Sequence, residues 1–301
     1  MTTRSAKYSK IEVLRIREVL IMYRLKRKLW RIILALGILF AVGGLVNQPD
    51  NGKAALSQGI QQLASWGNQG QRSSQPTTLP PTKQQAEAVL TPGIRSQLGS
   101  SISWNGHGAF IINNNQPKLN ASINSAPYAV NYKDRQGRAW RGDAWLNRTT
   151  RQYKNRSETG NGATNWRPAG FLQAYNLKNG YRHAYDRGHL LGYALVGGLR
   201  NFNASESNPA NIATQTAWAN EARSPESTGQ NYYEGLVRQA LDQGKQVRYR
   251  VTDLYDGNNV VPSGAHIEAL SKNGSLKFNV FIPNCQRNID INYATGAVTQ
   301  R

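Results

Sequence analysis

Apolar positions are unevenly spread along this 301-residue chain. Residues 32–46 form an unbroken, mostly apolar run with no charge. Residues 47–84 lack any apolar period; Asn, Gln, Gly, Ser and Pro dominate, as in Gln69-Gly70-Gln71-Arg72-Ser73-Ser74-Gln75-Pro76 and Pro80-Pro81. From residue 85 onward patterned segments appear. Residues 85–90 predict a short helix stopped by Pro92-Gly93. Ala109-Phe110-Ile111-Ile112 predicts a strand ended by three asparagines. Residues 181–191 are aromatic and apolar enough for a strand, broken by Gly197-Gly198. Residues 231–243 predict a helix with Leu236, Val237, Ala240 and Leu241 on its apolar face and a stop at Gly244. Residues 246–252 alternate with period two and predict a strand, and residues 276–283 predict another. Strands in runs, with helices inserted between them, indicate an α+β fold with a central antiparallel or mixed sheet flanked by helices. The chain shows no internal repeat.

Charge alters the picture at the N-terminus. The formal net charge is +20. Residues 1–31 hold ten Lys/Arg against two acids, net +8, and the remainder keeps a net +12. The apolar run at 32–46 is short for a spanning helix, which needs about 20 residues. Leu29 and Trp30 extend it, with Arg31 snorkelling. The basic flank at 26–31 is expected to stay cytoplasmic, so the rest of the chain is exported. A cleaved signal peptide, giving a secreted protein, is the competing reading, but only Ala41-Val42-Gly43 stands where an Ala-x-Ala site would be. The expected organisation is a basic cytoplasmic tail (1–31), a retained signal-anchor or transmembrane segment (32–46), a flexible linker (47–84) and a globular domain (85–301). Met22, just before the basic cluster, is an alternative start.

The body remains basic without its tail, which suits a polyanionic partner, nucleic acid or an anionic membrane. Residues 133–156 concentrate Lys133, Arg135, Arg138, Arg141, Arg148, Arg151, Lys154 and Arg156 around Trp140, Trp145 and Tyr153. Basic residues interleaved with aromatics suit nucleic-acid backbone and bases, although the tryptophans read better as core. A single cysteine, Cys285, excludes an intrachain disulfide, a multi-cysteine zinc site and an iron–sulfur cluster.

The chemistry concentrates at Tyr185-Asp186-Arg187-Gly188-His189-Leu190-Leu191-Gly192, which holds one of only four histidines. Ser207-Asn208-Pro209-Ala210-Asn211-Ile212 and Gln215-Thr216-Ala217-Trp218-Ala219-Asn220-Glu221 follow. Asp186-Arg187-Gly188-His189, then Asn211, then Asn220, resembles the DNA/RNA non-specific endonuclease family, the ββα-metal or His-Me-finger nucleases. Residues 185–198, 207–220 and 227–250 resemble in particular the membrane-anchored DNA-entry nucleases of Gram-positive bacteria. The resemblance runs from about residue 89 to the C-terminus; residues 1–21 have no counterpart in it, and the linker matches only in composition.

That resemblance implies a metal-dependent endonuclease with little sequence preference, acting on DNA and on RNA, with Mg²⁺ (or Mn²⁺ in its place) as its only cofactor. It implies His189 as general base; a histidine with its ordinary pKa of about 6.5 is mostly neutral near pH 7–8 and can take a proton from water. It implies Asn220 as the protein ligand of the ion. Mg²⁺ keeps several waters, so one neutral amide oxygen suffices and leaves the charge for the phosphate. Asn211 is expected to support the site near His189, and Gln215 to line it. Glu234 is expected to face the hydration shell of the ion. Arg238, on the same helix face, is expected to face phosphate. Arg187 and Arg156 are further phosphate contacts, and Asp186 positions the tetrad. His183, six residues before His189, would share a strand face with it and touch substrate. Taken alone, the residues also allow a buried structural His189, a capping Asn220 and a surface Glu234–Arg238 ion pair. Two other functions stay open on that basis: a non-enzymatic nucleic-acid-binding surface protein, and an envelope-binding structural protein.

Overall fold

The computed structural model describes residues 79–162 and 164–301. The basic tail, the predicted anchor and the linker up to residue 78 lie outside the described residues. Among the described residues no helix is long and apolar enough to cross a membrane.

Two short helices open the described part: α1 (Lys83–Ala88) and α2 (Pro92–Leu98). Pro92-Gly93 does not simply stop a helix, as the sequence suggested. Pro92 begins α2, with the Thr91 side chain accepting from the Ile94 N–H. A proline costs nothing in a first turn, where its missing N–H would be unpaired anyway. Strands β1 (Ile102–Trp104), β2 (Phe110–Ile112), β3 (Tyr128–Lys133) and β4 (Ala139–Leu146) follow. Then come β5 (Tyr185–His189), α3 (Tyr193–Val196), β6 (Ile212–Thr216), α4 (Ala217–Glu221) and α5 (Gln230–Asp242). The chain ends with β7 (Val247–Leu254), β8 (Gly264–Ser271), β9 (Lys277–Pro283), β10 (Ile289–Ile291) and β11 (Val298–Gln300).

A seven-stranded antiparallel sheet runs in the order β1-β2-β9-β8-β7-β4-β3. On β7 the period-two pattern sends Val247, Tyr249 and Val251 into the core and leaves Arg248, Arg250 and Thr252 half-buried on the other face. The inner face joins Val237 and Leu241 of α5, and Leu191 and Trp218, in one apolar cluster. Burying each such side chain is worth about 1.5–3 kcal/mol. A second cluster joins α1 and α2 to Phe110 and Phe281.

β5 and β6 stand apart from the main sheet as an antiparallel pair, Asp186 opposite Gln215 and Arg187 opposite Thr214. α4 follows β6 directly, so this unit reads β-β-α. The predicted strand at 181–191 is shorter than expected: the tetrad lies inside β5, and α3 intervenes before Gly197. β4 crosses the stretch read as basic and aromatic. Trp145 is buried, as expected of a core tryptophan, while Trp140 is half-buried. Asp143 is buried on the outer face of the sheet, where Arg141, Arg248 and Arg250 all reach its carboxylate.

Candidate active site

β5, α4 and α5 meet at a cleft of about 470 Å³ whose lining includes His189, Asn220, Glu234, Arg238, Arg187 and Arg156. His189 ends β5, and its Nε2 lies 2.9 Å from Glu234 Oε1. Glu234 sits one helical turn into α5 and is 3% exposed, so it is no surface ion-pair partner. Burial opposes ionisation of its carboxyl. The charge and hydrogen bond of His189, with Arg238 and the Gln230 amide, outweigh that and hold its pKa below the usual carboxylate value. Arg238 Nη1 approaches Glu234 Oε2 at 3.4 Å, and its Nη2 donates to Asn231 Oδ1 at 2.7 Å.

Asn220 lies in the last turn of α4. Its Nδ2 donates to Asp186 Oδ2 at 2.9 Å, which fixes the amide and leaves Oδ1 as a buried acceptor with no partner among the described residues. A buried carbonyl oxygen without a donor is costly, and a cation in the cleft would satisfy it. The donor set, a neutral oxygen backed by a carboxylate, fits a hard divalent ion.

Asp186 also accepts from the other side, its Oδ1 lying 2.8 Å from His183 Nε2. Burial disfavours its charge, but the hydrogen bonds from His183 and Asn220 prevail and keep its pKa low. His183 does not share a strand face with His189: it precedes β5 and bridges to Tyr175. Its hydrogen bond to Asp186 raises its pKa. Glu221, next to Asn220, completes a group with His183 and Asp186 within 4.8 Å of one another. Burial, with Asp186 beside it, pushes Glu221 up to about 7.

Asn211 holds the chain just past His189. Its Oδ1 accepts from the Leu191 N–H and from Asn131, and its Nδ2 donates to the Leu191 carbonyl. Gln215 donates to Gln230 Oε1 at 3.0 Å; it lies buried behind the cleft rather than lining it. Arg187 donates from Nε and Nη2 to the carbonyls of Trp166 and Thr164, both at 2.8 Å, so Nη1 is the nitrogen left for a phosphate. Arg156 donates to the Ala204 carbonyl, pairs with Glu206 at 3.3 Å and stacks on Tyr193.

A model of the DNA/RNA non-specific endonucleases matches residues 106–298. The chain belongs to the DNA/RNA non-specific endonuclease family. Two solved structures of NucA from Streptococcus agalactiae are similar to it. The one with magnesium ion bound is 42% identical, with a TM-score of 0.66, over 73% of this chain and 97% of that chain. The one with no metal bound has the same identity and TM-score, over 73% and 98%.

Three groups of this endonuclease's site escaped the sequence reading. Gln230 donates to the His189 carbonyl at 2.6 Å and to Glu234 Oε1 at 3.3 Å. It lies four residues before Glu234, a spacing that was available as a signal. Gly192 matters because a Cβ there would meet Glu234 Oε2 at 2.7 Å. Glu221 gave no pattern of its own, since its part in the site comes only from the fold.

Proposed function

We propose that this nuclease hydrolyses phosphodiester bonds in DNA, and in RNA, with a divalent ion, Mg²⁺ or Mn²⁺, held at Asn220. The observation that carries the reading is the buried, unpartnered Asn220 Oδ1 in the same cleft as the His189–Glu234 pair. The magnesium ion bound to the similar NucA supports the choice of metal. Such an ion supplies Lewis-acid neutralisation of the charge that builds on the phosphate.

The chain's own residues divide the remaining work. Glu234 accepts the Nε2–H of His189 and fixes that tautomer, which leaves Nδ1 as the atom able to take a proton from the attacking water. Asp186 holds the Asn220 amide by its nitrogen and so leaves the oxygen free for the ion. Arg238, Arg156 and Nη1 of Arg187 place positive charge along the cleft for the backbone phosphates. These contacts are to backbone phosphate, which positions a nucleic acid without specifying its sequence.

The basic flank ahead of residues 32–46 supports a catalytic domain held outside the cell by a retained anchor. DNA uptake and the breakdown of extracellular DNA are both served by that placement. Supercoiled plasmid should be nicked and degraded in Mg²⁺ and protected by EDTA. Binding without degradation would overturn the reading. Protease added to intact cells should remove the activity; protection would overturn the orientation.

A further inference from the structure

A second set of metal-ligating side chains stands beside Asn220, and of its atoms the proposed chemistry uses only Asp186 Oδ2. His183 Nε2 lies 2.8 Å from Asp186 Oδ1 and 3.6 Å from Glu221 Oε1. The three ligand atoms all lie within 4.8 Å of one another. Three parts of the fold bring them together. His183 sits ahead of β5, where it bridges to Tyr175 and its carbonyl accepts from Gln286 Nε2 at 3.1 Å. Asp186 is on β5 and Glu221 ends α4. The Ala217 N–H, at the start of α4, donates to the Ala184 carbonyl just before β5, which ties together the two elements that carry the carboxylates. The Glu221 side chain is 45% exposed, so an ion can enter from solvent. Two carboxylates facing one imidazole leave negative charge for it to neutralise.

We propose that His183, Asp186 and Glu221 form a second metal site, for a transition-metal dication of the Zn²⁺ class, distinct from the site at Asn220. Zinc takes nitrogen and oxygen ligands at about 2.0–2.2 Å in a tetrahedron, which sets the ligand atoms about 3.3–3.6 Å apart. The two His183 contacts, at 2.8 and 3.6 Å, span that spacing, so small side-chain rotations supply three corners and water the fourth. The imidazole sets the selectivity. It suits Zn²⁺ and its neighbours, whereas Mg²⁺ is held by oxygens and keeps its waters. Zinc takes the place of the proton between His183 Nε2 and Asp186, and that proton goes to solvent. Asp186 links the two sites, because its Oδ1 faces His183 while its Oδ2 accepts from Asn220 Nδ2 at 2.9 Å. A dication on Oδ1 draws charge away from Oδ2, loosens the hold on the Asn220 amide and adds positive charge beside the ion there. Zinc in the second site therefore opposes Mg²⁺ in the first, and Mg²⁺ opposes zinc to the same degree.

Zinc binding at this cluster stands without the nuclease reading; its effect on cleavage rests on Asn220 as the Mg²⁺ ligand. Calorimetry on the full chain should show an equivalent of zinc that persists in Asn220→Ala and in His189→Ala. His183→Ala should weaken it by at least about 100-fold, the upper end of what losing an outer-shell partner costs. Glu221→Gln, which removes a ligand charge at a half-exposed position with little change of shape, should weaken it as well. In the unaltered chain the His183 ring resonances should shift with added zinc and stay in place with added Mg²⁺. Equal zinc affinity in His183→Ala and the parent, loss of the zinc in Asn220→Ala, or a His183 ring that does not respond would overturn the proposal. The second readout is the Mg²⁺ concentration that gives half-maximal plasmid cleavage. Zinc should raise it in the parent and not in His183→Ala. A Mg²⁺ requirement indifferent to bound zinc would overturn the coupling through Asp186. A chain that binds zinc at His183 and cleaves nothing would sink the nuclease reading alone.

Discussion

His189 and Glu234 form a pair in which a buried carboxylate holds one ring nitrogen and frees the other. Replacing His189 by Ala removes the proposed general base while leaving the cleft arginines in place. Cleavage should fall by about 10²–10⁴-fold, with DNA affinity retained; near-normal kcat would remove His189 from the chemistry. Asn220 calls for a subtler test. Asn220→Asp keeps an oxygen for the ion but turns the donor to Asp186 into a second acceptor, 2.9 Å from Oδ2 in the parent. Like charges near 4 Å cost about 4 kcal/mol at an effective dielectric of 20, and a tenfold rate loss needs about 1.4 kcal/mol. The variant should therefore retain Mg²⁺ dependence while kcat at saturating metal drops at least about tenfold. Full kcat would show that neither ligand neutrality nor the Asp186 contact matters. The tetrad and Asn220 were legible because their spacing is a motif. The partners were not: the Glu234–His189 contact joins residues 45 positions apart, and the Asn220–Asp186 contact joins residues 34 apart.

Among the elements, α5 and β7 could be read from sequence because burial on one face imposes a clean period, and β9 because it is a short apolar run buried on both faces. β4 could not. It lies between β3 and β7, yet it carries Arg141 and Asp143 where a central strand should be apolar. The fold accommodates them by gathering three arginines on one buried carboxylate, an arrangement with no local signature. β5 was legible as a strand but not in its length, because its short pairing with β6 ends where α3 begins. The glycines of this segment are explained by close approach. A Cβ at Gly188 would run into Gln215 across the β5–β6 pair, and one at Gly192 would press on both Glu234 oxygens. Gly192→Ala should therefore push Glu234 off His189 and lower kcat by about tenfold or more, with the melting temperature changed less than in Gly188→Ala. Equal kcat in Gly192→Ala and the parent would show that Glu234 need not sit against the imidazole.

At the scale of the whole molecule, charge governs both substrate capture and stability, with opposite demands. Three cleft arginines, Arg156, Arg187 and Arg238, imply a slope of about −3 for log affinity against log salt on duplex DNA; a flat dependence would exclude backbone-dominated binding. The basic excess behind that behaviour was plain in the sequence. The burial of Asp253 was not read, because the predicted strand stopped at residue 252, one short of where the period-two pattern of Val247, Tyr249 and Val251 carries it to the inward face. An aspartate in the unfolded chain titrates near 3.9, whereas Asp253 in the fold titrates at about 8. Between those values the folded state holds one more proton than the unfolded state, so its stability falls as pH rises, by about 1.4 kcal/mol per unit. Below about 4 both states are protonated and the penalty is absent; above about 8 it is fully present. Asp253→Asn carries no such proton. Its melting temperature relative to the parent should climb steadily from pH 5 to pH 7, a relative gain of about 3 kcal/mol, and level off past pH 8. A gap between variant and parent that stays constant over this range would show that Asp253 is ionised in the fold.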